Sequence, residues 1–335
     1  AVYIGSLVLI PVIMMMVAKT EYTDYFMYTI GPAALLYLIF EMRKYNKDQI
    51  DTVKSTTFFL SLIPIILTLY YFAGGVIINN EHCEFNISSR LIISLFLLIY
   101  LYQGVMNFCS EIQKKLIAAM IFIFFSIVFW GIYEQSGGSL ALFANENLHD
   151  TIFGIHFDPN GINNSANALF VIIFAPILGL IWVAMSKRNQ EPNTLIKFGL
   201  GFIFLAGGFF IFYQTKFFAD ANGVTSLEVF TLAYFVITFG ELCLSPIGLS
   251  IMTKLSPQPL QGMMMGMWFL ASAYGQYVAG ILGAGMSTAS DTATKMEKLI
   301  SYTDGYKQLA LYAVIAGVVL ILISPVVRKL MQEVK

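Results

Sequence analysis

Charge is what this chain has least of. Lys, Arg, Asp and Glu make up 12% of its 335 residues, against about 25% in an ordinary soluble domain. So little charge cannot cover the surface of a water-soluble fold of this length. Histidine and cysteine are scarce too, at three each. Cys83, Cys109 and Cys243 show no CxxC or metal-ligand spacing, and two of them fall in or beside apolar stretches, where a thiol acts as a small packing residue. A disulfide framework is not expected. The histidines, His82, His149 and His156, lie in polar stretches between the long apolar runs. Net charge is −1, which gives nucleic acid nothing to bind. No nucleophile stands beside a base, and there is neither a phosphate-cradling glycine loop nor a metal-ligand cluster. We therefore expect no enzyme and no cofactor. The opening residues lack the basic segment of a secretory signal. An apolar run entered directly at Ala1, without a methionine, reads as a longer protein cut at that point.

Apolar sequence is what the chain has in abundance, at 58%. Runs of about 17–25 apolar residues recur along the whole length, the mark of an all-α membrane protein. Ten spans are expected, near 2–18, 24–40, 57–78, 91–109, 116–142, 163–185, 195–218, 225–252, 259–286 and 306–328. Alternate loops carry the Lys and Arg: residues 43–54, then Lys114 and Lys115, then Lys187, Arg188 and Lys197, then Lys254 and the tail. The positive-inside rule assigns these to the cytoplasm, with both chain ends. On the other side, Asp158–Gly161 (DPNG) has turn chemistry, and Asn86 and Asn163 each begin an N-x-S triplet.

Two carboxylates, Glu134 and Glu241, fall inside these spans. A charge at bilayer depth costs ~2.5–3.5 kcal/mol or more, so such residues usually border a polar space on an ion or substrate path. Trp130 and Glu134 are four residues apart and share a helical face, an arrangement suited to a ligand with an apolar group and a cation. The bland alternative is a tryptophan at the membrane interface with its acid in water. More than twelve apolar residues before Trp130, and SLALF after Gly138, place Glu134 within the helix instead. In the eighth span Tyr234, Thr238, Glu241, Ser245 and Gly248 draw one polar stripe, and Pro246 opens the local hydrogen-bond ladder. A stripe that only glues helices together needs no glutamate. Gly262 and Gly266 in the ninth span have GxxxG spacing, a sign of close helix contact. Trp268 shares a face with Ser272 and Gly275 there. In the sixth span Asn163 and Asn167 are one turn apart. Asn163 is placed to cap the helix, and the deeper Asn167 to bind a carboxylate or peptide carbonyl.

Taken in order, FWGIYEQSGGSL, ANALFVIIFAP, GELCLSPIGLSIMTKLSP and GMMMGMWFLASAYG resemble the C-terminal half of a proton-dependent oligopeptide transporter, within the major facilitator superfamily. The resemblance is strong over 116–285, extends to 306–328 and is weak before 110. It implies a six-helix transporter bundle over 111–335, preceded over 1–110 by linker and extra transmembrane hairpins, with the N-terminal bundle missing. It also implies roles: Glu134 in proton coupling, Trp130 lining the cavity, Asn167 on the peptide backbone or carboxyl end, Glu241 receiving the peptide's amino terminus, and Trp268 in a side-chain pocket. Ser245 joins them on the stripe of Glu241. Ala168 stands where the family usually has proline. The short 217–226 loop is like that of bacterial members, whose place is the inner (plasma) membrane. The family's ExxER and FYxxIN motifs, both of the N-terminal half, are absent.

The expected partners are then short peptides, protons as the coupling ion, the lipid bilayer and the missing N-terminal bundle. Without that bundle the chain is not expected to transport. Other readings are a symporter for amino acids, nitrate or another small solute, a nontransporting membrane partner, and a membrane acyltransferase, which would require a basic or histidine site in the spans.

Overall fold

A computed structural model describes residues 20–46, 76–78, 81–83, 99–286 and 293–332. The expected span 2–18 and nearly all of 57–78 lie outside the described residues. The chain divides into two compact units. One takes in the described residues as far as Ala118 together with Leu330–Gln332, and the other is Ala119–Lys329.

In the first unit, helix α1 (Thr20–Met42) covers the expected span 24–40 and ends in a 3-10 turn, Arg43–Asn46. Strands β1 (Val76–Ile78) and β2 (Glu81–Cys83) pair antiparallel, Val76 opposite Cys83. The end of the expected span 57–78 is thus extended rather than helical, in keeping with its β-branched residues. Helix α2 runs over 99–108. Helix α3 (Glu111–Tyr133) opens on a capping box. The Gln113 N–H donates to Ser110 Oγ at 3.3 Å, and the Ser110 N–H to Gln113 Oε1 at 3.0 Å, so each satisfies an otherwise orphaned amide. Gln113 Nε2 also donates to the Met42 carbonyl at 2.9 Å.

The second unit is a bundle of six long helices. After α3 come a short α4 (Ser139–Asn147), a two-residue hairpin of β3 (Thr151–Ile152) with β4 (Ile155–His156), and then α5 (Pro159–Lys187), α6 (Thr194–Gln214), α7 (Leu227–Leu255), α8 (Gln261–Met286) and α9 (Lys295–Met331). Six described helices, α1, α3, α5, α6, α7 and α9, are long and apolar enough to cross a membrane. Helix α8 carries no charged residue, though its glutamines and glycines dilute its apolar character.

Two expectations about helix ends change. DPNG is not a free turn: Asp158 is the N-cap of α5, accepting from the N–H groups of Asn160 and Gly161, and Pro159 takes the first helical position. Asn163 therefore lies inside the helix, is 2% exposed, and neither caps it nor offers a surface glycosylation site. Helix α7 runs unbroken through Pro246.

Lipid supplies little hydrophobic drive between helices, so small residues and shape decide where they meet. Between α6 and α7, a Cβ on Gly240 would lie 2.7 Å from the Gly201 carbonyl oxygen, and one on Gly208 2.0 Å from Ile237 Cγ2. Between α3 and α8, a Cβ on Gly275 would lie 2.2 Å from Trp130 Cβ. Gly262 and Gly266 are exposed and meet nothing within 4 Å, so their GxxxG spacing marks no contact in the described structure. Two aromatic clusters fill the interior, one around Phe122, Phe129, Phe198 and Phe202, the other around Phe143, Phe212, Phe230 and Tyr306. Along its most apolar stretch α5 buries nothing.

At the end opposite the lysine- and arginine-rich loops, Asn147 fastens three segments. Its Nδ2 donates to the carbonyls of Gly223 and Lys295, both at 2.8 Å, and its own carbonyl accepts from the Thr225 N–H at 2.7 Å. Gly223 has φ +77, and a Cβ there would lie 2.6 Å from the Met296 nitrogen; both facts require glycine. Lys298 pairs with Glu146 at 2.8 Å and Lys216 with Asp304 at 3.0 Å.

Candidate functional site

The expected single span 116–142 is interrupted where its acid lies. Helix α3 stops at Tyr133, residues 134–138 are non-helical, and α4 resumes at Ser139. Glu134 is therefore in the break and not within a helix, although its N–H still bonds the Trp130 carbonyl at 3.0 Å. Gly137 and Gly138 weaken the helix there. A side chain of α5 then takes up one of the freed carbonyls, and a side chain of the break reaches out to α8, as irregular backbone within a membrane bundle requires. Asn163 Nδ2 donates to the Ser136 carbonyl at 2.9 Å, and Gln135 Nε2 to the Ala279 carbonyl at 3.2 Å. The Ser139 hydroxyl donates to Gln135 Oε1 at 2.8 Å.

Glu241, in the middle of α7, faces this break. Its Oε2 accepts from the Tyr133 hydroxyl at 2.6 Å and from Asn167 Nδ2 at 3.1 Å. Asn167 is held in turn by the Thr238 hydroxyl, which donates to its Oδ1 at 2.8 Å. One turn away, the Tyr234 hydroxyl donates to Asn163 Oδ1 at 2.6 Å. The polar stripe of α7 is thus real, and its upper members bind the two asparagines of α5. Helices α3, α5 and α7 meet at one carboxylate. Both of these donors go to the same oxygen, Oε2.

Glu134 is half-buried, hydrogen-bonds Gln276 of α8 and lies within electrostatic reach of Glu241. Among the described residues no lysine, arginine or histidine pairs with either acid. Trp130 is one turn before Glu134, edge-on to Tyr133 with ring centres 5.2 Å apart. Its Nε1 is buried and without a partner among the described residues, a donor left available in a polar neighbourhood.

Glu134, Trp130, Asn167 and Glu241 are therefore brought together. Ser245 continues the stripe one turn beyond Glu241 and is half-buried. Trp268 stands further off. It is 4% exposed, lies edge-on to Phe198, and would sit 2.0 Å from a Cβ on Gly248. Sequence reasoning passed over Tyr133, Gln276 and the tertiary role of Asn163. Tyr133 had a usable signal, a phenol one residue before an intramembrane acid. Gln276 had none, because no spacing rule links it to Glu134.

The profile described as PTR2, POT family, matches residues 79–299. The peptide transporter YePEPT of Yersinia enterocolitica subsp. palearctica is 30% identical over 281 residues, covering 83% of this chain and 53% of that protein. Dipeptide and tripeptide permease A of Salmonella typhimurium is 28% identical over 288 residues, 86% of this chain and 56% of that protein. A crystal structure of the peptide transporter POT in complex with sulfate superimposes with a TM-score of 0.57 at 25% identity, over 94% of this chain and 55% of that one. The chain spans about half the length of the relatives it matches.

Proposed function

The chain belongs to the POT family, whose members are transporters and not enzymes, and from that premise we propose that it forms one six-helix half of a proton-coupled symporter importing di- and tripeptides. It crosses the bacterial inner membrane repeatedly, with both of its ends cytoplasmic. A second bundle packs against the face bearing Glu134 and Glu241 and supplies the cations these acids lack among the described residues. Transport proceeds by rocking of the two halves around a site at mid-membrane. Residues 111–335 are the transporting half, and 1–110 carry accessory hairpins.

The observation that supports this best is the presentation of Glu241. Two neutral donors fix Oε2, and a peptide ammonium takes Oε1 by a charge-assisted hydrogen bond. Trp130, with its unpaired Nε1, lines the space for the peptide. Ser245 and Trp268 bound its far end, along α7 from Glu241. Asn167 reaches the peptide backbone only by exchanging one of the bonds it now makes to Glu241 and Thr238. Glu134 takes the proton: neutralising it weakens its attraction to the second bundle and biases the outward-facing gate. No cofactor is called for; the proton is the coupling ion.

The test uses the full-length transporter in proteoliposomes with an imposed proton gradient. Glu134→Gln should abolish uphill accumulation of a dipeptide and leave peptide counterflow in place. Normal accumulation by that variant would refute the proton role. Competition against the dipeptide by amino acids or nitrate, with none by other di- and tripeptides, would transfer the same mechanism to a different solute.

A further inference from the structure

We propose that Tyr133 is a positioning residue that couples the proton site to the amine site, an inference that rests on the roles of Glu134 and Glu241 given above. Tyr133 is the last helical residue of α3, and Glu134 follows it directly at the break. The Tyr133 hydroxyl crosses to α7 and donates to Glu241 Oε2 at 2.6 Å. One short segment thus holds one acid in its backbone and grips the other with a phenol.

The phenol has little freedom to move alone. Its ring is 8% exposed, stacks on Phe129 with centres 5.5 Å apart and planes at 19°, and meets Trp130 edge-on. A tyrosine confined in this way moves with the end of its helix. The residues that follow Glu134 in the break are tied elsewhere, Gln135 to α8 and Ser136 to α5. Between these two fixed regions lies Glu134, whose side chain bonds Gln276 on α8.

A carboxylate can only accept from the Gln276 amide, whereas a carboxylic acid can also donate. A change at Glu134 therefore re-forms its contact with α8 and shifts the last turn of α3, carrying the Tyr133 hydroxyl toward or away from Glu241. While the hydroxyl is in place, Oε2 is occupied and Oε1 is presented to the ammonium. When it leaves, the carboxylate turns about its remaining Asn167 bond. By linkage, an ammonium that holds Glu241 in its gripped orientation favours the same state of Glu134 that Tyr133 favours. The titratable groups surrounding the phenol are Glu134 at the break and Glu241 and Tyr234 on α7, while α5 and α8 contribute the neutral amides Asn167 and Gln276.

The experiment uses the full-length transporter and the variant Tyr133→Phe, which keeps the stacked ring and removes only the hydroxyl. Four quantities are read: affinity for a free-amine dipeptide, affinity for its N-acetylated form, the ratio of proton-driven accumulation to counterflow at saturating peptide, and the melting temperature. One hydrogen bond to a charged group corresponds to roughly tenfold in affinity. We expect that loss for the free-amine peptide, none for the acetylated one, and a lowered accumulation ratio with counterflow still measurable. In a double-mutant cycle with Glu241→Gln the effect of Tyr133→Phe should vanish. Wild-type affinity and accumulation in Tyr133→Phe overturn the inference, as does an effect undiminished in the Glu241→Gln background. Loss of counterflow together with a fallen melting temperature assigns the tyrosine a merely structural role and also overturns it. Glu241→Gln alone tests the underlying reading: unchanged affinity for the free-amine peptide there removes the amine site itself, whatever Tyr133→Phe does.

Discussion

Replacing Gly275 with alanine places a methyl group 2.2 Å from Trp130 Cβ and 3.0 Å from the Trp130 carbonyl carbon. Carbon atoms pack best at about 3.5–4.0 Å, so α3 and α8 must separate locally by more than an ångström. Neither obstacle can rotate aside, since one is a Cβ and the other is backbone. Overpacking of this kind costs about 1–3 kcal/mol, and the better helix propensity of alanine offsets up to about 1 kcal/mol. The net expectation is a destabilisation of about 1–2 kcal/mol. The controls are Gly262→Ala and Gly266→Ala in the same helix, where nothing lies within 4 Å of the new methyl. They gain propensity without a clash and should be neutral or slightly stabilised. Thermal unfolding of the 335-residue chain in detergent, followed by tryptophan fluorescence, reads the result directly, because Trp130 lies at the contact. Gly275→Ala should melt several degrees below the parent and both controls at or above it. A Gly275→Ala protein as stable as the parent, or controls as damaged as Gly275→Ala, would refute the placement of the α3–α8 crossing.

Further tests address the ends of the bundle. Asn147→Ala removes the donor from the carbonyls of Gly223 and Lys295, and each buried group left unpaired costs about 1–3 kcal/mol. A lower melting temperature and faster amide exchange at Thr225 are expected. In the same loop, the backbone N–H of Val224, aided by that of Asn222, holds the Asp220 carboxyl below its ordinary value of 3.8. The folded value lies below the unfolded one, so the contribution is complete above pH 3.8 and is lost as pH falls through the lower folded value. Protection of the 222–224 amides, measured against their intrinsic exchange rate at each pH, should therefore fall only in that acid range, and Asp220→Asn should remove that fall. At the opposite end, Lys197 is buried between Glu191 and the Trp182 ring, 4.7 Å from the latter. Glu191→Gln leaves the buried ammonium without its counter-charge and should cost about 1–3 kcal/mol, less than a fully buried pair because Glu191 is itself partly exposed.

Much of the candidate site was legible before any fold was known, for reasons that can be named. An acid in an apolar run is conspicuous because bilayer burial of charge is costly, which brought out Glu134 and Glu241. Steps of three and four residues bring side chains to one face of a helix, so the stripe from Tyr234 to Gly248 and the pair Asn163–Asn167 could be drawn from spacing. The same rules misled where they are blind to surroundings. GxxxG spacing pointed to Gly262 and Gly266, yet whether a glycine meets a neighbour depends on which face that neighbour covers, and α8 is approached at Gly275 instead. Periodicity carried a helix straight through Glu134, because the bonds that support the break come from Asn163 and Gln135 and reach other helices.

Local interactions are written along the chain. Hydropathy, helix period and the cost of burying charge fixed the all-α membrane class, most helix positions in the second unit and the two acids of interest. Pairings between helices are not written there, since they depend on contacts between residues far apart in sequence. Only the tertiary arrangement could show that Tyr133 and Asn167 share one oxygen of Glu241, that Trp268 is packed against Gly248, and that Asn147 fastens the ends of three segments. Each depends on the crossing of two helix backbones, and a crossing is set by packing summed over the bundle.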